Sequence, residues 1–598
     1  MQKKDVISFV KDEFIRRRDE RRALESKWQL NLNFLSGNQY SYVNARGELV
    51  PEGKQYFWES REVYNHIAPI IESRLAKFTR VNCAVNVRPA SADDEDVKSA
   101  TLATKLLETT FLDNDFYKKF ALANLWAEVT GSVFYKVFWQ KNGEGDVKIS
   151  VCPSYEIYPD SLGVSDLNAQ RSIIHARAYP IGKIEDIWGV RVESEEISVL
   201  SGNLISEYPD SAYAQKERKK SDGYAMVLEY YENPSADHPE GRFLIVSGNE
   251  LIYQGPLPYL NGENGGRKYP FARQTCIDTP CSFFGLSVIE RLIPVQRAYN
   301  AVKNRKHEFL SRLSVGVVAV EEGSVDIENL EEEGLAPGKI ITYRQGATPP
   351  LMMNPGTVPS EFRDEEDRLL REFKVISGVS DSADVSSKAE ATVSGYALSL
   401  LIEQDYMRLS VTTESIRSAV KEVAKQTLRL YREYSSGERI LKVAGKMGEV
   451  DLDAVRASEL RSDDVVMESD STMVETPATR KSMVLELLKS GLLGDENGII
   501  SNRNRAKIID MLGFGNWEHA RSDEEVHLKK ASLENSKMAS GNKVAVDELD
   551  DHALHIIEHI NAFAGGVETL SDTAKKQLKE HVRRHRVLAK LEKETEAE

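Results

Sequence analysis

His555-Ile-Ile-Glu558-His559 is the stretch of this 598-residue chain whose residue types and spacing could most readily do chemistry. Two histidines four residues apart share a helix face and can hold one metal ion, while the glutamate between them can polarise a bound water. His552 falls on the same face. A hydrolase of this kind also needs a carboxylate ligand well downstream. Only 39 residues follow His559, and Glu580 is the sole plausible candidate there. The preferred reading is therefore a polar helix face, with a zinc metallohydrolase and an adventitious metal contact as the outside alternatives. Gly334–Ile340 (GLAPGKI) imitates a phosphate loop, yet its spacing is wrong and Ile340 stands where Ser or Thr must bind magnesium. Cys276 and Cys281 lack a second close pair to complete a zinc site. The expectation is a chain with no catalytic residue, no metal and no cofactor, not an enzyme, and dependent on a separate motor for any ATP hydrolysis.

Two other groups of side chains point toward nucleic acid. Gly285–Ser314 (GLSVIERLIPVQRAYNAVKNRKHEFLSRLS) reads as a long helix bent by Pro294. Its charge is mainly basic: Arg291, Arg297, Lys303, Arg305, Lys306 and Arg312 against Glu290 and Glu308. In a chain of net charge −16 this excess fits contact with a polyanion. It fits equally well pairing with an acidic helix over Glu361–Asp367. Arg16, Arg17, Arg18, Arg21 and Arg22 form a second basic cluster, but Asp19, Glu20 and Glu25 interleave it, so it reads as a solvated helix face. The overall acidity argues against a tight grip on DNA, because phosphate neutralisation supplies such affinity. It suits a wall past which DNA slides.

The elements that would position these residues lie between 360 and 431. Glu361–Ile376 (EFRDEEDRLLREFKVI) carries an apolar stripe of Phe362, Leu369, Leu370, Phe373 and Ile376, and Gly378 stops it. Val379–Gly395 follows as a loop poor in bulky residues. Tyr396–Tyr431 then runs without Pro or Gly, with Leu409, Ile416, Val420, Val423 and Leu430 at helical spacing. That is roughly 54 Å of helix at 1.5 Å per residue. One compact domain cannot bury it, so the reading places Val420 and Val423 in a seam with a neighbouring subunit.

Ahead of this block the pattern predicts a charged helix over residues 1–35, then a helix running into a Val-rich strand that Pro89 terminates. Two amphipathic helices come next. Strands are expected at Gly131–Gln140 and Val147–Asp160, and again at YAMVLEYYENP and Arg242–Pro256, with nothing legible over 161–223. VGVVAV and KIITYR should be β-rich runs around an acidic turn. After the long helix come three short strands, then a helical region from Thr476. At this length the chain should form several domains. Hydrophobic residues at 41% and charged residues at 29% describe a globular chain without a membrane span or an apolar N-terminal signal.

The order N-x-I-x-P-I-I-E, V-x-V-x-P, acidic helix, G-S-V-F-Y-K-V-F-W and a strand ending Y-P-D resembles the opening half of tailed-bacteriophage portal (head–tail connector) proteins, in particular the P22-like portal family. The helix ending I-S-G-V-S-D, the Ser/Asp/Ala loop and V-S-G-Y-A-L-S-L-L resemble that family's second stem helix, tunnel loop and long wing helix. The resemblance implies an α+β, mainly helical portal-type fold, assembling as a cyclic ring with a central channel. Its parts would be a wing (1–283), a first stem helix (284–314), a clip (315–359) and a second stem helix (360–378). A tunnel loop (379–393), the long wing helix with closing strands (394–475) and a helical crown (476–598) would follow. The function implied is the ring at one capsid vertex, usually of twelve copies, through which double-stranded DNA is packaged and ejected. Implied partners are the terminase large subunit, the major capsid or scaffolding protein and a head–tail adaptor, with no membrane. The implied location is the virion, and the host cytoplasm during assembly. In that frame Asp381, Ser382, Asp384, Ser386, Lys388 and Glu390 would line the constriction, the basic residues of 291–312 would face the channel, and Glu328, Glu331, Glu332 and Glu333 would meet the terminase or adaptor. A helical scaffold protein of the virion is the other reading of the long helices.

Overall fold

A computed structural model describes residues 3–54, 59–79, 84–91, 93–141, 145–195, 199–200, 204–205, 223–260, 266–315, 317–325, 340–353, 359–379, 395–435, 439–444, 450–455, 460–467, 527, 530–531, 534–535, 537–538, 543–547, 549–565 and 572–595. The chain divides into two units, Met1–Thr472 and Met473–Glu598.

The first unit opens with α1 (Lys3–Ser36), the hairpin β1 (Ser41–Val43) and β2 (Leu49–Pro51), α2 (Ile67–Phe78), β3 (Val85–Val87), α3 (Asp94–Asp113) and α4 (Phe116–Thr130). Strands dominate next: β4 (Ser132–Gln140), β5 (Asp146–Pro153), β6 (Ile157–Pro159) and β7 (Ser172–Pro180), then the short helix α5 (Ile181–Trp188). The small hairpin β8 (Val199–Leu200) and β9 (Leu204–Ile205) precedes β10 (Tyr224–Glu232), β11 (Arg242–Ser247), β12 (Glu250–Gly255) and β13 (Phe271–Thr275). Long helices follow: α6 (Val288–Val315), the pair β14 (Val317–Ala319) and β15 (Leu351–Met353), α7 (Glu361–Ser377) and α8 (Gly395–Tyr434). The unit closes with β16 (Arg439–Ala444), β17 (Val450–Val455) and β18 (Val465–Met467).

Two antiparallel sheets organise this unit. One has the order β12-β11-β10-β7-β6, the other β13-β4-β5. The predicted strand over 147–160 is in fact divided. Residues 146–153 pair with β4, a single 3-10 turn at Ser154–Glu156 redirects the chain, and Ile157–Pro159 join the other sheet against β7. The stretch that reads as featureless supplies β7, the central partner of β10 from Tyr224↔Pro180 to Glu232↔Ser172. In the segment 315–359, the partner of β14 is Leu351–Met353, and residues 340–344 are not a strand.

The main core gathers Trp28, Phe34, Phe116, Phe134, Phe284, Leu292, Phe373, Ile416 and Tyr431 from α1, α4, β4, the approach to α6, and α6, α7 and α8. α8 lies along β13. Its Thr412 hydroxyl donates to Cys276 O (2.8 Å), Thr275 N donates to Ser415 Oγ (2.9 Å), and Gln426 Nε2 donates to Phe271 O (3.2 Å). Val420 and Val423 are fully buried in this core. The expected subunit seam at these residues is therefore wrong: the apolar stripe of α8 is spent on its own sheet.

The N-terminal basic cluster is also reassigned. Arg17 and Arg21 are buried, not solvated. Arg21 lies 3.6 Å above the Tyr158 ring, donates to the carbonyls of Ser154 and Tyr155 (both 2.9 Å) and Ile157, and pairs with Glu25 (2.5 Å). A guanidinium's fan of donors meets carbonyls at and just after the 3-10 turn. Between the two sheets His175 reaches Glu229 (2.9 Å) and Glu156 (3.2 Å), Lys136 pairs with Glu229, and Arg177 pairs with Glu156 (3.1 Å). Each buried carboxylate thus has its own cation.

Candidate functional site

α6 begins three residues later than the helix read from sequence. Gly131 and Gly285 touch, and a Cβ on Gly131 would stand 2.0 Å from Gly285 O. Leu286 N bonds Ile277 O (2.8 Å), which keeps this stretch out of helix. Ser287 then starts α6: its Oγ accepts from Ile289 N (3.0 Å) and donates to Glu128 O (2.5 Å). The helix runs on through Pro294.

Along α6, Gln296, Asn300, Asn304 and Glu308 recur every fourth residue and make one polar edge. They accept the backbone N–H groups of His66 (3.0 Å), Tyr64 (3.1 Å), Glu62 (3.1 Å) and Ser60 (3.0 Å) in turn. Gln296 Nε2 returns a bond to Tyr64 O (2.7 Å), and Asn304 Nδ2 returns one to Glu62 O (3.0 Å). Two residues of an extended arm advance about 6.6 Å and four of a helix about 6.0 Å, so the two repeats stay in step over three intervals. The arm 60–66 thereby completes its hydrogen bonding on side chains instead of on a strand. His66 sits between Tyr299 and Phe373, and burial together with Lys303 pushes its pKa down.

α7 packs on α6 through Phe373 and Leu369, and Glu366 receives both Lys306 (2.9 Å) and Lys303 (3.6 Å). At its C-terminal end Gly378 takes a left-handed φ of 69°. Just before it, Arg74 Nη1 donates to Ser377 O (2.6 Å), and the same guanidinium forms a bidentate pair with Glu128 (2.8 and 3.0 Å). Burial opposes the charge on Arg74, but Glu128 outweighs it and raises the pKa. Cys276 Sγ donates to Glu128 Oε1 (3.3 Å), its thiol held neutral because burial and Glu128 both push it up. α2, α4 and the approach to α6 therefore clamp the point where the chain enters the segment 380–394.

The predicted channel residues separate into groups. Lys303 and Lys306 are taken up by Glu366, which is the helix pairing that was the alternative to DNA contact. Arg297 is tied to Ser41 O (2.7 Å) and covers the Phe34 ring. Arg291 and Arg305 are exposed, with no ion-pair partner among the described residues. Arg312 lies within α6. A groove of about 610 Å³ beside the ladder brings Arg297 and Arg305 together with Glu52, Glu59 and Glu308. Its carboxylates outnumber its guanidiniums, so it does not make an anion site. Asp381, Ser382, Asp384, Ser386, Lys388 and Glu390, expected at the constriction, and Glu328, Glu331, Glu332 and Glu333, expected to meet the terminase or adaptor, lie outside the described residues. Cys276 is buried and Cys281 exposed, both as free thiols.

Sequence reasoning missed the polar ladder and the Arg74–Glu128 clamp. The first had a signal, Gln, Asn, Asn and Glu at every fourth position. The second had none, since its partners are 54 residues apart.

Residues 37–482 match the family described as Phage P22-like portal protein. The chain belongs to that family, whose role is that of a phage portal protein. No curated protein matches it. Among the described residues no helix is long and apolar enough to cross a membrane.

Proposed function

We propose that this chain forms a closed cyclic ring, of twelve copies as is usual in the family, at one vertex of the capsid. Double-stranded DNA would pass through its channel during packaging and ejection. In this reading α6 and α7 are the stem, the loop 379–393 is the constriction, the segment 315–359 is the clip that meets the terminase large subunit and later a head–tail adaptor, and residues 476–598 form the crown. The ring would assemble in the host cytoplasm with the major capsid or scaffolding protein and remain in the virion. The exposed Arg291 and Arg305 of α6 are its channel-facing cations, and the acidic loop, with small side chains and no aromatic platform, would let DNA slide.

The observation that carries the ring is an uncovered apolar surface on the helices that flank the loop. Val375 on α7 is 68% exposed, and Met407 and Val411, one turn apart on α8, are 66% and 69% exposed. Head-to-tail contacts that close on themselves would cover such residues in every copy. Replacing Met407 and Val411 by Asp should place charge in that contact and disperse the assembly while leaving the fold intact, because neither side chain packs in its own core. Mass photometry reads the outcome. An assembly of unchanged mass in the double variant would refute this placement of the interface. Deleting Asp381–Ser387 tests the constriction: unchanged genome retention in rings that still form would remove the loop from that role.

A further inference from the structure

The second unit holds a cluster that the portal role does not use. Six of the eleven histidines of the chain, His527, His552, His555, His559, His581 and His585, meet Glu534 and Asp550 there. α9 (His552–Gly565) contributes His555 and His559 one turn apart, and α10 (Asp572–Thr595) contributes His581 and His585 with the same spacing. His555, His559 and His585 are fully buried, and Glu534 is 5% exposed. The expected polar helix face is buried. This is not the hydrolase arrangement: Glu558 is not among the clustered donors, and the downstream Glu580 is exposed and pairs with Arg584 (3.7 Å). The carboxylate comes from upstream, at Glu534.

The protons on these rings can be placed from their outer partners. His559 Nδ1 lies 2.7 Å from Asn535 Oδ1, and His581 Nδ1 lies 3.3 Å from Val544 O. Both oxygens only accept, so both Nδ1 atoms carry hydrogen, and in the neutral rings both Nε2 atoms present a lone pair. Those lone pairs face Glu534 Oε2 at 3.6 and 3.4 Å. His555 Nδ1 faces the same oxygen at 3.4 Å, and His585 Nε2 is 3.2 Å from His581 Nε2. Glu534 Oε2, His559 Nε2 and both nitrogens of His555 are buried without a hydrogen-bond partner among the described residues. Glu534 has no Lys or Arg partner among them either, whereas Asp550 is taken by Lys530 (2.7 Å). Acceptors converging in a dry interior repel one another unless a cation lies between them.

We propose that Glu534, His555, His559 and His585 hold one divalent transition-metal ion, zinc foremost, with His581 as an adjoining nitrogen donor. The donor atoms of the first four lie within 4.8 Å of one another. The separations of 3.4 to 3.6 Å around Glu534 Oε2 are close to the edge of a tetrahedron about zinc, roughly 3.3 Å for bonds near 2.0–2.1 Å. Imidazole and carboxylate without thiolate select a borderline ion over copper(I), calcium or magnesium. Asn535 and Val544 orient the rings from outside, as partners of metal-bound histidines do. Four protein donors leave no open position, so the ion is a staple that joins α9 and α10 to the helical turn bearing Glu534. The comparable cluster around His175 is different, because Lys136 and Arg177 already neutralise its carboxylates.

The test uses full-length protein without a histidine tag. Elemental analysis after dialysis should find about one zinc per chain, and E534Q and H559A should each lower it at least tenfold. The exposed His307 serves as control, and H307A should keep the metal. Protein stripped with a chelator and titrated with CoCl2 should give the visible bands of four- or five-coordinate cobalt in the native chain and not in E534Q. ZnCl2, but not MgCl2, should reverse any thermal destabilisation caused by stripping. Should H559A fail to fold, the isosteric E534Q and the cobalt titration of the native chain still decide. Native protein that takes up no stoichiometric zinc or cobalt, or a metal content unchanged in E534Q, would overturn the site.

Discussion

Replacing Arg74 by Ala removes the clamp at the end of α7, and the structure allows its cost to be worked out. Arg74 and Glu128 are both nearly inaccessible and joined by two bonds of 2.8 and 3.0 Å. Removing one member of such a pair leaves a buried, uncompensated charge and costs about 3–5 kcal/mol. The bond to Ser377 O is lost as well, and a charge-assisted hydrogen bond contributes about 1.5–3 kcal/mol. These terms overlap and do not add. They are, however, read at different places: the first in global stability, the second in local opening at the end of α7. Denaturant unfolding of the first unit should show the larger loss. Hydrogen exchange should show the amides of Gly378 and Val379 exchanging about ten- to a hundredfold faster. The double variant Arg74→Leu with Glu128→Leu removes both charges and should recover much of the global loss but none of the local protection. A single R74A variant that loses less than about 1 kcal/mol and keeps its protection at Gly378 would refute the clamp.

Three further outcomes follow from named contacts. Asn300→Ala should leave Tyr64 N–H without its acceptor and cost about 1–3 kcal/mol, with exchange rising along residues 60–66; exchange confined to Tyr64 would mean that the ladder is not cooperative. Burial and Lys136 oppose charge on His175, but Cys152 and Glu229 prevail and hold its pKa at about 10, above the ordinary 6.5. Its contribution is therefore complete below about pH 6.5 and is lost as pH rises through about 10, at up to about 1.4 kcal/mol per pH unit, a slope that His175→Gln should flatten. Gly131→Ala would force a Cβ to within 2.0 Å of Gly285 O at a φ of 81°, so its stability loss should exceed the roughly 1 kcal/mol of an ordinary glycine replacement. A smaller change in a denaturant midpoint would show that the contact relaxes freely.

Local pattern made part of this molecule legible. The uninterrupted run 396–431 announces α8. Partner choice was not legible. Val420 and Val423 look alike whether they face a second copy or β13, because a stripe reports burial and not what buries it. Arg17 and Arg21 read as surface charge, since the carbonyls they meet, Tyr158 and Ser172 for Arg17 and Ser154, Tyr155 and Ile157 for Arg21, lie more than a hundred residues later. β3 and β18 are three residues each and pair across the whole first unit, Val85↔Met467, with too little pattern in either to predict the match. In the second unit the spacing of His555, His559, His581 and His585 was visible, but the carboxylate that joins them lies upstream of all four, where no motif looks for it.

The central claim, that this portal-family chain works as a ring around DNA, is tested most directly by negative-stain images of the purified full-length protein. The account predicts closed rings with a central hole, of uniform subunit number, that persist in moderate salt. Monomers at micromolar concentration, or open filaments of the same subunits, would contradict it.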